Sequence, residues 1–425
     1  MSQVATKVDN EKTTKSEKPT AHFTAPHAEL TAAMNIAEFG VPVGPNSGIQ
    51  EGVLVESTRN HVTLSTFDFW TATEVTLPAD TPVAKGRSLL DFAELRKAIA
   101  AVAAGETKTA AARIQVSLAG DLLSTPDMAV PVTTHDLQAF VLPPEPVPAI
   151  VTVDARTLLA QLERVLPCAG RDDTLPALTG VQVTLDGTTL ALSATDRYRL
   201  AVAEVPAQAT AQPPERPLTT LMPGDTLRRL AKRLKTVDGP VGIGIIEETP
   251  SAVARATLAV GSATVTMRPL EGRLPGYETL IPTEAETSLN ADRAVLVRAV
   301  KKAAALIKAK GFTGCPLVLH WGDDGTLTLA PRIGDPADQD RVRGMEIPAT
   351  HRHGEPGHLR GCLLALNPAL LLDALGTFNS DTVTLHLQPA QDCQITKPVL
   401  LTAGDAIKGD GYRHLLMPVR LDLSK

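Results

Sequence analysis

Aromatic side chains make up only 3% of the chain, so its cores must be built from leucine, valine, isoleucine and alanine. No run of about 18 apolar residues occurs, so no transmembrane helix and no membrane partner are expected. The four cysteines, Cys168, Cys315, Cys362 and Cys393, are widely scattered, with no CxxC pair and no Cys/His cluster at zinc spacing. They read as reduced, structural thiols of a cytoplasmic protein. Enzyme signatures are missing as well: there is no GxSxG elbow, no P-loop and no HExxH. Asp68, Asp196 and Asp373 are spread along the chain and fit turns and caps better than a catalytic carboxylate pair. His351 and His353, in THRHGEPGH with His358, form the one local histidine cluster, but the segment is rich in Gly and Pro and reads as a loop. No metal, no cofactor and no catalysis are therefore expected. The N-terminal residues 1–20 lack the apolar segment of a secretory signal and read as a disordered tail. A surplus of positive charge is lacking too: 41 Lys and Arg face 47 Asp and Glu, for a net charge of −6. That argues only weakly against nucleic acid, because an acidic exterior can coexist with a basic channel.

What is present is a repeat. The 425 residues set a prior of about three domains, and a hydrophobic fraction of 43% is enough for sizeable cores. Three segments share one order: amphipathic helix, hairpin, second amphipathic helix, further strands. In the middle copy, VTVDARTLLAQLERVL passes from strand to helix with Leu158, Leu159, Leu162 and Val165 on one face. Alternating strands then flank Asp186-Gly187, a two-residue hairpin signal. LMPGDTLRRLAKRL opens at Pro223-Gly224 and places Leu227, Leu230, Ala231 and Leu234 at helical spacing. The first copy repeats this more faintly. HFTAPHAELTAAMNIA reads as its first helix, GVLVESTRNHVTLSTFDFWTATEV as its hairpin, and RSLLDFAELRKAIAAV as its second helix with Phe92, Leu95, Ile99 and Val102 inward. The third copy has the helix of SLNADRAVLVRAVKKAAALIKAKG, a hairpin turning at Asp324-Gly325, the helix LNPALLLDALGTF and the ending HLLMPVRL. Proline-rich stretches, VLPPEPVPA at 141–149 and LPGYETLIPTEAE, separate the copies. The expected domains are 21–145, 146–272 and 273–425, and the fold class is α+β.

The polar faces of several helices are basic. One carries Arg228, Arg229, Lys232 and Arg233; another carries Arg298, Lys301, Lys302 and Lys308 opposite Leu296, Val300, Ala303 and Ile307. Arg156 and Arg164 lie on the first helix of the middle copy, and Arg96 and Lys97 on a helix of the first. Taken alone, each face reads equally well as an ordinary solvated surface. No aromatics are interleaved with the cations, which argues against single-strand binding.

ATDRYRLA (194–201), preceded by TLPALTG (174–180), resembles the bacterial DNA polymerase III beta subunit family, the sliding clamps. So do GRLPGYETLIP (272–282), LNPALLLDAL (366–375) and LLMPVRL (415–421). The resemblance covers nearly the whole chain after about residue 21. It implies three processivity-fold domains and a homodimer joined head to tail into a ring, with helices lining a hole for duplex DNA. It also implies a function, conferring processivity on a replicative polymerase. The basic residues named above would then meet DNA phosphates without reading sequence. Polymerase and clamp-loader peptides would enter an apolar pocket. Carried over residue by residue, that pocket takes Leu178, Thr195, Arg199 and Leu200, with Arg197 and Tyr198 at its rim. Pro275 and Leu280 come from the junction, and Pro398, Leu415, Met417, Pro418, Val419 and Arg420 from the third copy. The chain departs from the family pattern at Arg197 and Tyr198, where glycine and histidine are usual, and at Leu370, usually aromatic. Little of the pattern survives near residues 40–52, and Asp422-Leu423-Ser424-Lys425 extend past the usual end. These departures leave open a divergent paralogue with an altered partner set.

Overall fold

The structure, a computed structural model, describes residues 19–421 except 43–47, 82–84, 211, 213, 236, 250–253, 322–325, 334–338, 340, 355–358, 360, 389 and 391–392. Most of the expected tail, the Asp324-Gly325 turn, His358 and the last four residues lie outside the described residues.

One small unit recurs six times among the described residues: a strand that runs directly into a helix. In three of them an aspartate ends the strand and caps the helix. Asp91, Asp154 and Asp292 each accept a hydrogen bond from the backbone N–H three residues on, starting the helices Phe92–Ala101, Ala155–Val165 and Arg293–Ala309. Asn367 does the same for Pro368–Gly376. Such a cap satisfies backbone donors that the first turn leaves unpaired, a contribution of about 1 kcal/mol. The helices His27–Ala37 and Gly224–Leu234 follow Pro26 and Pro223 instead, without a side-chain cap. HFTAP is thus the strand His22–Pro26 rather than the start of a helix, since extended backbone at Pro26 (ψ 137°) ends the strand just before the helix begins. Gly224 has no alternative: a Cβ there would lie 2.3 Å from the Thr179 carbonyl oxygen.

The chain forms two compact units, residues 1–145 with 262–265, and residues 146–261 with 266–425. In the first, the helices His27–Ala37 and Phe92–Ala101 share a core in which Leu30, Met34, Leu95 and Ile99 meet Phe23, Val53, Leu64 and Leu118 from the strands. The strands Thr71–Pro78, His61–Phe67, Gly52–Thr58 and Lys85–Asp91 pair antiparallel in that order. A second sheet runs His22–Pro26, Gln115–Ala119, Leu122–Ser124, Ala129–Pro131.

In the second unit the middle and last copies share one antiparallel sheet of nine strands among the described residues. The joint is the pairing of Arg199–Pro206 with Tyr412–Leu416, the last strand among the described residues, from Arg199↔Leu416 to Ala203↔Tyr412. Period-2 alternation sorts this joint into two faces. Leu200 and Leu415 point to one side. Ala201, Ala203, Tyr412 and His414, all fully buried, point to the other, where the helices pack.

Candidate functional site

The helix Arg293–Ala309 buries Leu296, Ala299, Val300, Ala303 and Ile307 and exposes Arg298, Lys301, Lys302 and Lys308, so its basic stripe stands free of the core. On Gly224–Leu234 the leucines turn inward as expected, Lys232 is exposed, and Arg229 and Arg233 are half-buried. Arg228 is held differently. Its guanidinium donates to Asp225 at 2.5 Å and to the Ala169 carbonyl at 2.9 Å, tying the helix start to the loop after the preceding helix. Arg156 is exposed and bound to the equally exposed Asp238. Arg96 pairs with Glu38 at 2.6 Å, and Lys97 is exposed.

Arg164 does not belong with these. Only 8% of it is exposed. Its guanidinium stacks 3.8 Å from the Tyr412 ring centroid and donates two hydrogen bonds to Asp410 at 3.2 Å. The expectation that it meets DNA fails on geometry: a cation committed to a ring and a carboxylate is a structural joint between the two copies. The Tyr412 hydroxyl lies 3.0 Å from the Arg164 carbonyl oxygen and 2.9 Å from His414 Nδ1. Burial pushes the His414 imidazole down to about 3, with Arg199 adding to the effect, so the ring is neutral. Burial likewise pushes the neighbouring Cys168 thiol up to about 12, which makes it an unreactive packing group.

On the opposite sheet face an apolar cleft takes shape. Leu200, Leu415 and Leu400 form a row across three paired strands. The junction segment covers them with Leu274 and Tyr277, and Leu178 and Ile281 pack alongside. Leu200 and Leu415 are 4% and 2% exposed, so they form the cleft's floor. Tyr198, Leu280, Met417 and Val419, each more than a third exposed, are its open rim. Hydrogen bonds hold the terminal segment in place: Met417 N–H to the Tyr198 carbonyl at 2.9 Å and Val419 N–H to the Ala365 carbonyl at 2.8 Å. The Gln394 side-chain amide brackets Leu421 by both its carbonyl and its N–H. Thr195 Oγ1 donates to the Arg199 carbonyl and accepts from Arg197 N–H. Arg199 is not a free contact, because Asp196 and Asp373 hold its guanidinium at 2.9 and 2.7 Å. Pro398 is half-buried next to the strand Val399–Thr402, and Pro275, Pro418 and Arg420 flank the junction and the terminal segment with their surfaces exposed or half-buried.

Beside the cleft, around Leu178 and the turn at Tyr198, opens a groove of about 1190 Å³ whose cations include Arg171 and Lys232. The sequence reading missed this groove, and it missed Leu274, Tyr277 and Leu400. Leu274 and Tyr277 stand in the GRLPGYETLIP motif that was noticed, but nothing in their spacing says which way they point. The turn itself is over-determined. Asp196 Oδ1 accepts from both Tyr198 and Arg199 N–H at 3.0 Å, and Arg197, between Asp196 and Tyr198, takes a left-handed φ of 79°. Asp68 forms the same turn in the first copy, with Phe69 at φ 72°. The histidine segment corrects another expectation. Residues Ala349–His353 form a strand paired to Thr287–Asp292, not a loop. Among the described residues no three His, Cys, Asp or Glu side chains come together to hold a metal ion.

Comparison with known proteins agrees with this geometry. The family profile of the DNA polymerase III beta subunit, central domain, matches residues 152–276. The "Beta sliding clamp" of Streptomyces coelicolor is 28% identical over 407 residues, 92% of this chain and 97% of the relative. The "Beta sliding clamp homolog GriR" of Streptomyces muensis is 29% identical, over 90% of this chain and 94% of the relative. Solved structures share the fold across 94% of the chain: the sliding clamp of Bacillus subtilis has a TM-score of 0.76 at 18% identity and is 99% covered. A clamp from Pseudomonas aeruginosa bound to griselimycin has a TM-score of 0.75 at 20% identity and is also 99% covered. With its helix pairs on antiparallel sheets and its central copy inside the family profile, the chain resembles the DNA polymerase III beta subunit family, the beta sliding clamps, over most of its length.

Proposed function

We propose that the protein is a DNA sliding clamp: a non-catalytic ring that encircles duplex DNA and tethers a polymerase to it. In this reading three clamp domains, 21–145, 146–272 and 273–425, follow one another. Two chains join head to tail, first domain to third, so that the helices face the hole. The observation that carries the reading is the stripe of exposed Arg298, Lys301, Lys302 and Lys308 on a helix whose other face is core, in a chain of net charge −6. Phosphate contacts of this kind hold duplex without reading sequence. The apolar cleft supports the second half of the reading, since Met, Leu and Val rims suit short peptides of varied shape.

Retention on DNA is the test. Loaded on closed circular DNA, the protein stays bound and is released when the circle is cut. Changing Arg298, Lys301, Lys302 and Lys308 to Glu lowers loading severalfold and leaves the melting temperature unchanged, because all four lie off the core. Equal retention on circles and short linear fragments rules out a sliding ring.

A second reading has its own support. Arg197 and Tyr198 stand where the family places glycine and histidine, and one relative is named a clamp homolog. In that reading the ring is a divergent paralogue with a changed set of partner peptides.

A further inference from the structure

We infer that the peptide entering the apolar cleft is acidic next to its apolar anchors, and that Arg171, with Arg197, reads that charge. The inference rests on the cleft being a peptide site and adds the chemistry of what it selects.

The observation is an imbalance in the adjoining groove. Six cations line it against four carboxylates. The carboxylates are largely committed. Asp196 and Asp373 hold Arg199, and Glu163 holds Lys235 at 2.9 Å. Asp172 accepts from the Thr174 hydroxyl and backbone, and these bonds, more than the nearby Arg197, keep its carboxyl ionised and below the usual range. Arg228 is taken by Asp225, outside the groove, and by the Ala169 carbonyl. Arg171, Arg197 and Lys232 are left, and among the described residues no carboxylate forms an ion pair with any of them. Arg197 stands at the tip of the Asp196 turn and Arg171 is exposed on the loop before Leu178. Apolar surface lies within the same walls: Leu166, Leu175, Leu178, Tyr198 and Leu372.

Duplex DNA would be served by cations on an open convex face, with no need of leucines among them. A concave wall that mixes unpaired arginines with leucine and tyrosine fits an amphipathic segment carrying carboxylates beside its apolar residues. Arg197 deepens the point. A non-glycine residue at a left-handed φ is disfavoured, yet the turn here carries a long cation in that position.

The test uses the full-length protein and two labelled peptides with the same Leu and Phe anchors, one flanked by Asp and the other by Asn, in fluorescence anisotropy. At about 50 mM salt the Asp peptide binds at least about fivefold tighter, and at about 500 mM the difference vanishes. Arg171→Glu removes the preference and leaves the affinity for the Asn peptide unchanged, with an unaltered thermal melt as the folding control. Equal binding of the two peptides by the native protein overturns the inference and spares the cleft. Failure of both peptides to bind overturns the cleft and the inference together. If a single-stranded oligonucleotide of thymidines binds with the same dependence on Arg171 while the Asp peptide gains nothing, the cations serve phosphates and the inference is wrong.

Discussion

Arg164 is a residue whose role reverses between sequence and structure. On its helix it is one more cation near Arg156. In the fold it is buried against Tyr412 and bonded to Asp410, which lies 246 positions away in the chain. No local pattern announces a partner at that distance, whereas Leu227, Leu230, Ala231 and Leu234 were legible as core because helical period is a local property. Arg164→Ala should therefore lower unfolding stability by about 2–3 kcal/mol, through lost stacking and a half-exposed Asp410 without its partner. Urea denaturation measures this, and a DNA-binding defect with full stability would restore the phosphate role. The buried imidazoles give the second prediction at this scale. Burial lowers His414 to about 3 and His386 to about 4, from an ordinary 6.5. The unfolded chain thus takes up protons that the folded chain refuses. The stability is whole above about pH 6.5 and drains as pH falls toward those values, at up to about 1.4 kcal/mol per pH unit for each ring. The urea midpoint should fall steeply below that pH, and His386→Gln with His414→Gln should flatten the slope even if both proteins begin less stable.

Among the elements, the ones the sequence announced are those with local signatures. Asp186-Gly187 is read as a hairpin from the turn it demands, and the helix Ala155–Val165 from the spacing of Leu158, Leu162 and Val165. The strand Ala349–His353 was hidden because Gly and Pro follow it closely, and its strand character comes from pairing with Thr287–Asp292, another distant segment. The described residues after Leu416, 417–421, have no regular structure of their own and depend on borrowed bonds from Tyr198, Ala365 and Gln394. Deleting the chain from Met417 onward removes two rim side chains, each worth about 1.5–3 kcal/mol if buried by a ligand, and leaves the strand Tyr412–Leu416 paired. Affinity for a labelled polymerase C-terminal peptide should drop at least about tenfold while the fold survives. Equal affinity of the full-length and shortened proteins would remove these residues from the site. Absence of binding by both would favour the paralogue.

For the whole molecule, the proposed ring requires two chains, because three copies close a six-domain circle only when doubled. Light scattering at micromolar concentration should give twice the 44.9 kDa chain mass, and a stable monomer would count against the ring. The shared nine-stranded sheet has one more consequence, for the chain's own synthesis. The strand Arg199–Pro206 has Thr189–Thr195 on one side, but its other neighbour is Tyr412–Leu416, made roughly 200 residues later. At about 5–20 residues per second, the ribosome leaves that edge without its partner for roughly 10–40 s. An open apolar edge for that long invites pairing with other nascent chains. A ribosome that stalls before Tyr412–Leu416 would therefore release a product prone to aggregate, and the synthesis of that strand is itself the step that closes this side of the sheet.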